Sequence, residues 1–352
     1  MPEVFCRAVA PPTEAGMASA VEDVLDFAGL TPGELGARCL VKINAMSQEV
    51  LPGRNTSPWL VEAVLGQLVR RFPATTFVLA DSDVAGYPQF ARACLHWGYL
   101  DIAARHGVKI VNLARQEYRE VSTGNEACPV LAFPQAVFQA DSIVNLPVMK
   151  THVLSGISCC LKNHWGLLPR LRYQFHQRVH EVIAEINRQV DQTVFNILDA
   201  TVAMEASGPK TGLPRVCGLI LAGRDRVATD SAALDYMGLP RDMAPHLALS
   251  QEAGVGSLAY TRAGDAVQPA GFIPPQLGQD LVSLLERRLR AVPGLGKMLY
   301  RPEIAPLLGW AGTQYNEQVW FRRHGRALLQ EILHGSPWGE QYRRLPGCQG
   351  RD

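Results

Sequence analysis

The sequence predicts an α/β protein: a mostly parallel central sheet flanked by helices, with a helical C-terminal extension. Three observations predict it. Short apolar runs of strand length recur along the chain. Amphipathic stretches of helix length fall between most of them, and such alternation builds βαβ units whose strands run parallel. Finally, the apolar run over residues 143–148 passes directly into a polar, small-residue segment, which is where open α/β sheets hold their ligands.

The elements follow in order. Residues 4–9 and 39–43 read as short buried strands separated by a helix over 14–28. Asn55-Thr56-Ser57-Pro58 reads as a helix start, with Ser57 as N-cap and Pro58 at the first helical position. That helix runs over 59–71 and stops before Pro73. Further strands are expected at 75–80, 108–113, 142–148, 194–198 and 216–221, with helices at 89–106, 175–190 and 228–237. Pro147 cannot donate to a ladder, so the strand containing it should end there. After Ala270 the character changes: Pro274-Pro275, an amphipathic basic helix over 281–292, then a Pro/Gly-punctuated stretch rich in Trp and Arg. The chain thus divides into a core over 1–270 and an extension over 271–352.

Composition bounds the function. The 352 residues, 47% hydrophobic and 19% charged, suit a soluble protein with a substantial core. A net charge of +1 argues against a nucleic-acid-binding surface. The extension is the basic part, with 11 Lys and Arg against 7 Asp and Glu. A solvated helix face is the expected role for Arg287, Arg288, Arg290 and Lys297, with contact to an anionic membrane surface as the rival. No spanning segment and no secretory signal are read, and the eight cysteines lack C-x-x-C spacing, so neither a disulfide scaffold nor an iron–sulfur cage is expected. A cytoplasmic location follows, and a homo-oligomer is allowed.

Strand ends gather the candidate site residues. Lys42 and Asn44 sit in the apolar string L-V-K-I-N-A, where a buried lysine must find an anion; a solvent-facing edge lysine is the alternative. Arg54 and Asn55 precede the helix start and are placed to bind an anion there, unless Arg54 is an ordinary loop arginine. Asp81 and Asp83 follow a strand, suited to hydroxyl or metal binding or to capping. Lys150, His152, Lys162, Asn163 and His164 crowd the segment after residue 148. Histidine moves protons near neutral pH, and lysine clamps anions or acts as a base when its pKa is lowered. Cys159-Cys160 is read as packing, and His176 and His180, four apart, as surface histidines. Lys210, in G-P-K-T-G, offers an anion-binding loop that is not a P-loop.

These motifs resemble a known family. V-K-I-N at 41–44, A-D-S-I-V-N-L-P-V-M-K-T-H at 140–152, C-L-K-N-H-W-G at 160–166 and M-E-A-S-G-P-K-T-G at 204–212 are similar to the bacterial and archaeal family called domain of unknown function 362. Many members carry a ferredoxin-like module, and this chain has no such cysteine cluster. The span H-V-L-S-G-I-S-C-C-L-K also resembles a segment of nickel-pincer lactate racemases, in which the lysine carries the cofactor and the histidine ligates metal or shuttles protons. His152 and Lys162 occupy the matching ends. Cys159-Cys160 replaces the two glycines that admit the cofactor, so the resemblance implies a shared fold and site position but not the nickel-pincer nucleotide.

The expectation is an enzyme of proton or hydride transfer, of isomerase or oxidoreductase type, acting on a small anionic or hydroxy/carbonyl substrate. His152, Lys162 and Lys150 are its catalytic candidates. Lys42, Asn44, Arg54, Asp81, Asn163 and Lys210 are its binding candidates, and cofactor and metal are left open. The rivals are a non-catalytic binder of a nucleotide or acidic metabolite, and a scaffold in a biosynthetic complex.

Overall fold

Apolar runs become strands throughout the computed structural model, which describes residues 1–84, 88–276 and 305–349. The strands are β1 Glu3–Ala8, β2 Arg38–Ile43, β3 Thr76–Asp81, β4 Lys109–Asn112, β5 Tyr118–Ser122, β6 Val130–Pro134, β7 Ser142–Leu146, β8 Val148–His152, β9 Gly156–Ser158, β10 Thr193–Glu205, β11 Leu213–Gly223 and β12 Thr261–Gly264. The main sheet runs β12-β1-β11-β10-β7-β2-β3-β4, with β8 and β9 attached through β10. From β10 to β4 all neighbours are parallel. The exceptions are β11, antiparallel to both β10 and β1, and β9, antiparallel to β8. Strands β5 and β6 pair apart from the sheet.

Side-chain alternation divides the interior into two cores. Along β2, Cys39, Val41 and Ile43 face one side and Leu40 the other. The first core takes the helices Glu14–Ala28 and Pro58–Arg71, through Val21, Val24, Leu60 and Leu65. The second takes the helices Val179–Gln189 and Arg226–Met237, through Val182, Ile186, Val227 and Leu234. The C-terminal helical region packs on the first core, where Tyr342 meets Trp97 edge-on and Trp338 lies against Trp59.

Three expectations need correction. The helix expected over 89–106 is two, Phe90–His96 and Tyr99–Arg105, because Gly98 takes a left-handed φ of 72° that breaks the hydrogen-bond ladder. The strand expected to end at Pro147 resumes as β8, so Lys150 and His152 lie on a strand rather than in a turn. Proline removes a single donor, and the ladder continues around it: the Asp199 amide of β10 donates to the Pro147 carbonyl at 2.9 Å, and β10 pairs first with β7 and then with β8. The segment before the helix Val179–Gln189 is a 3-10 stretch, Arg170–Arg178. The basic helix expected over 281–292 lies outside the described residues. Among the described residues no helix is long and apolar enough to cross a membrane.

Candidate active site

The carboxyl ends of β2, β3, β7 and the β8 continuation converge on one buried polar layer. At its base lies the ion pair expected to be a substrate clamp. Lys42 is neither a free clamp nor a solvent-facing edge lysine: its Nζ donates to Asp81 Oδ1 at 2.7 Å and to the Ile43 carbonyl at 2.8 Å. Asp81 is saturated in turn, since Oδ2 accepts from the Ala45 amide at 2.6 Å and Oδ1 also accepts from Ser82. The turn at Gly166 closes over this pair. A Cβ there would stand 2.8 Å from Asp81 Oδ1 and 2.9 Å from Lys42 Nζ, so only glycine allows the approach. The pair therefore holds β2 to β3, with two of the three Lys42 donors and both Asp81 oxygens engaged.

A file of amides runs beside it. Asn44 Nδ2 donates to Asn163 Oδ1 at 3.4 Å, Asn163 Nδ2 to Asn145 Oδ1 at 2.8 Å, and Asn145 Nδ2 to Asn196 Oδ1 at 3.0 Å. Asn145 is the residue that interrupts the apolar run of β7, and buried amides of this kind need one another as partners. Lys150 joins the file, donating to Asn44 Oδ1 at 2.5 Å, to the Arg54 carbonyl, and toward Met46 Sδ at 3.4 Å. All three of its donors are thus engaged, and burial pulls its pKa down to about 7. Lys150 positions Asn44 and the loop that carries Arg54.

Lys162 differs. It sits on the short helix Cys160–Asn163, whose amides at Cys160 and Leu161 are held by the Asp230 carboxylate at 2.7 and 2.9 Å. Its Nζ lies 4.0 Å from the centre of the Trp165 ring and makes no hydrogen bond or ion pair with the described residues. Burial, with the Arg172 guanidinium adding to it, holds its pKa well below the usual lysine range. His152 is close enough for the charge on Lys162 to act on it, and burial first and Lys162 second keep the imidazole neutral. Its Nδ1 accepts from the amides of Leu154 at 3.1 Å and Ser155 at 3.3 Å. That assigns the proton to Nε2, so His152 presents a donor.

Sequence reasoning took His176 and His180 as surface residues, but both are half-buried beside this site. His176 stacks on Trp165 at 5.5 Å, and His180 stacks on the buried His246 at 5.5 Å. His246 and Arg172 carried no sequence signal at all. Arg172 fixes the end of β3 through Ser82 Oγ at 3.1 Å and the Asp83 carbonyl at 2.8 Å. His164 does not extend the polar surface; it is fully buried, with Nε2 3.3 Å from Thr193 Oγ1. Nor is the helix N-terminus at Ser57 open to an anion, since Asp199 Oδ2 already accepts from the Ser57 amide at 2.7 Å and the Ser57 hydroxyl makes no cap. Arg54 and Lys210 flank the layer on the other side of Lys150. Arg54 Nε donates to the Lys210 carbonyl at 2.8 Å, and both cations face Glu317 of the C-terminal region.

The donor set does not suit a nickel-pincer nucleotide. Cys159 and Cys160 are 1% and 0% exposed and belong to the second core, filling the space that paired glycines would leave beside Lys162. Among the described residues no group of three or more His, Cys, Asp or Glu could hold a metal ion.

A thylakoid-associated protein of Synechocystis sp. is 28% identical over 234 residues, covering 64% of this chain and 70% of its own length. The crystal structure of a Thermotoga maritima protein superposes with a TM-score of 0.38 at 11% identity, covering 68% of this chain and 59% of that one. Residues 39–235, from β2 into the helix Arg226–Met237, match the family described as Domain of unknown function (DUF362). That stretch contains Lys42, Asp81, Lys150, His152, Lys162 and Lys210, and the chain belongs to the DUF362 family.

Proposed function

We propose that the protein catalyses proton transfer at a carbon beside the carbonyl of a small anionic substrate. Lys162 is the base, and His152 Nε2–H is the donor to the carbonyl oxygen. The observation that carries this reading is the unpaired Lys162 amine, buried on an aromatic face with a neutral histidine in range. Burial disfavours the charged form of the lysine and so eases loss of its proton, the direction a general base needs. The substrate C–H proton passes to Lys162 Nζ, the bonding pair moves onto the carbonyl oxygen, and the resulting enolate accepts from His152. Neutral imidazole polarises a carbonyl without first giving up its proton.

This reading differs from the sequence expectation of His152 as the acid/base and Lys162 with Lys150 as electrophilic or anion-binding groups. The two amide hydrogen bonds to Nδ1 are the reason: they leave no imidazole lone pair directed at a substrate. Hydride transfer would use the same two groups with a bound cofactor as the hydride partner, whereas proton transfer is the step these side chains perform themselves.

The test is deuterium incorporation from D2O into a panel of 2-oxo and 2-hydroxy carboxylates, followed by NMR. Enzyme-dependent exchange at the carbon next to the carbonyl, lost in Lys162→Met and weakened in His152→Phe, supports the reading. Exchange that survives Lys162→Met would sink it.

A further inference from the structure

The loop after β2 and the loop around Lys210 build a second anion-recognising feature, and the chain's own C-terminal region fills it. Glu317 lies in the π-helical stretch Tyr315–Gly325 and is 2% exposed. Its carboxylate accepts from Ser47 Oγ at 2.9 and 3.0 Å and from the Glu49 amide at 3.2 Å. Arg54 Nη1 and Lys210 Nζ stand farther off, at 3.7 and 3.8 Å.

The fit is incomplete on the cationic side. Arg54 is fully buried between the rings of Trp320 and Phe321, each 5.4 Å from its guanidinium carbon, and its Nη2 has no hydrogen-bond partner among the described residues. Glu317 thus faces two cations without making a close bidentate pair with either, and the Glu49 carboxylate also acts on Arg54. A guanidinium normally grips a carboxylate by two parallel bonds; here Nη1 donates to Ser47 Oγ at 3.0 Å and neither bond to Glu317 is made. The same Arg54 carbonyl accepts from Lys150, so the cradle adjoins the amide file of the candidate active site.

We propose that Ser47, the Glu49 amide, Arg54 and Lys210 form the carboxylate-recognition subsite of the active site, and that Glu317 occupies it in cis as a lid. A substrate carboxylate replaces Glu317, completes the pairing with Arg54 and displaces the Tyr315–Gly325 stretch. This rests on the proton-transfer reading for the identity of the neighbouring site, but its test reads the cradle alone.

The experiment uses the full chain with Glu317→Ala and follows the thermal midpoint while sodium acetate replaces sodium chloride at constant ionic strength. The expected result is a midpoint lowered by the substitution and raised again by acetate in a saturating manner. The wild type should show no response, and Arg54→Met in the same background should abolish recovery. A variant that responds to acetate no more than to chloride overturns the proposal. If Glu317→Ala does not fold in either salt, hydrogen–deuterium exchange on the wild type decides. Malonate should speed exchange within residues 315–325 several-fold, and exchange unchanged by malonate overturns the lid. Failure of the substrate deuterium assay would leave either result standing, so the two ideas fail separately.

Discussion

Lys42 and Lys162 lie in one polar layer, are 1% and 8% exposed, and have opposite surroundings. Lys42 ends β2 with a carboxylate at 2.7 Å and a carbonyl at 2.8 Å, and that carboxylate holds the next strand. Lys162 has an aromatic face and nothing else among the described residues to receive its hydrogens. A buried lysine paired with a carboxylate is part of the framework, and one without such a partner is held in readiness for something that arrives. The comparison separates architecture from chemistry more sharply than burial does, because both side chains are buried.

Four measurements break or sharpen that contrast. The largest effect is expected from Lys162→Met, which should lower the deuterium-exchange rate by roughly 10²–10⁴-fold, the usual worth of a positioned base. Its thermal midpoint should hold or rise, since the substitution removes a buried ionisable group with no partner. A midpoint that falls with activity would make Lys162 another Lys42. Asp81→Ala should destabilise by about 3–5 kcal/mol in urea denaturation, because it strands the Lys42 ammonium. A loss below about 1 kcal/mol would show that the pair is not structural.

Lys150 gives a pH signature. Its folded pKa of about 7 lies below the ordinary 10.5. The unfolded chain therefore binds more protons between those values, and stability rises with pH across the window and is lost as pH falls toward 7. The slope from one such group is at most about 1.4 kcal/mol per pH unit. Urea denaturation of Lys150→Met at pH 7, 8 and 9 should show this rise flattened. The smallest effect, about 1 kcal/mol, is expected from Asp225→Ala, which removes the cap on Ala228 at 2.9 Å and the bond to the Ser257 amide at 2.9 Å. It calibrates what a carboxylate is worth when it serves framework alone.

Much of this layer is legible in the sequence, for a physical reason. A polar residue inside an apolar strand, such as Lys42 or Asn145, must find partners, and parallel strands bring such residues to one end of the sheet. Hence the convergence of Lys42, Asn44, Asp81, Lys150 and Asn163 could be expected from the chain alone. Which lysine is paired could not, because the pairing is set by register: Lys42 lies opposite Ala80 on β3, which brings Asp81 within reach. Pro147 misled for the opposite reason, since a local rule about one donor says nothing about the twelve other residues of β10 that keep the ladder going. Glu317 was invisible because its partners lie far away along the chain, Ser47 by 270 residues.

Ser47 and Glu317 are 270 residues apart and share a hydrogen bond. Translation delivers the chain from its N-terminus at roughly 5–20 residues per second. Lys210 thus leaves the ribosome on the order of ten seconds before Glu317 does. For that interval the newborn domain carries Arg54 and Lys210 without the Glu317 carboxylate that later lies against them, and an anion in solution reaches them first. The protein meets the ligand class it is built to recognise before it is finished being made.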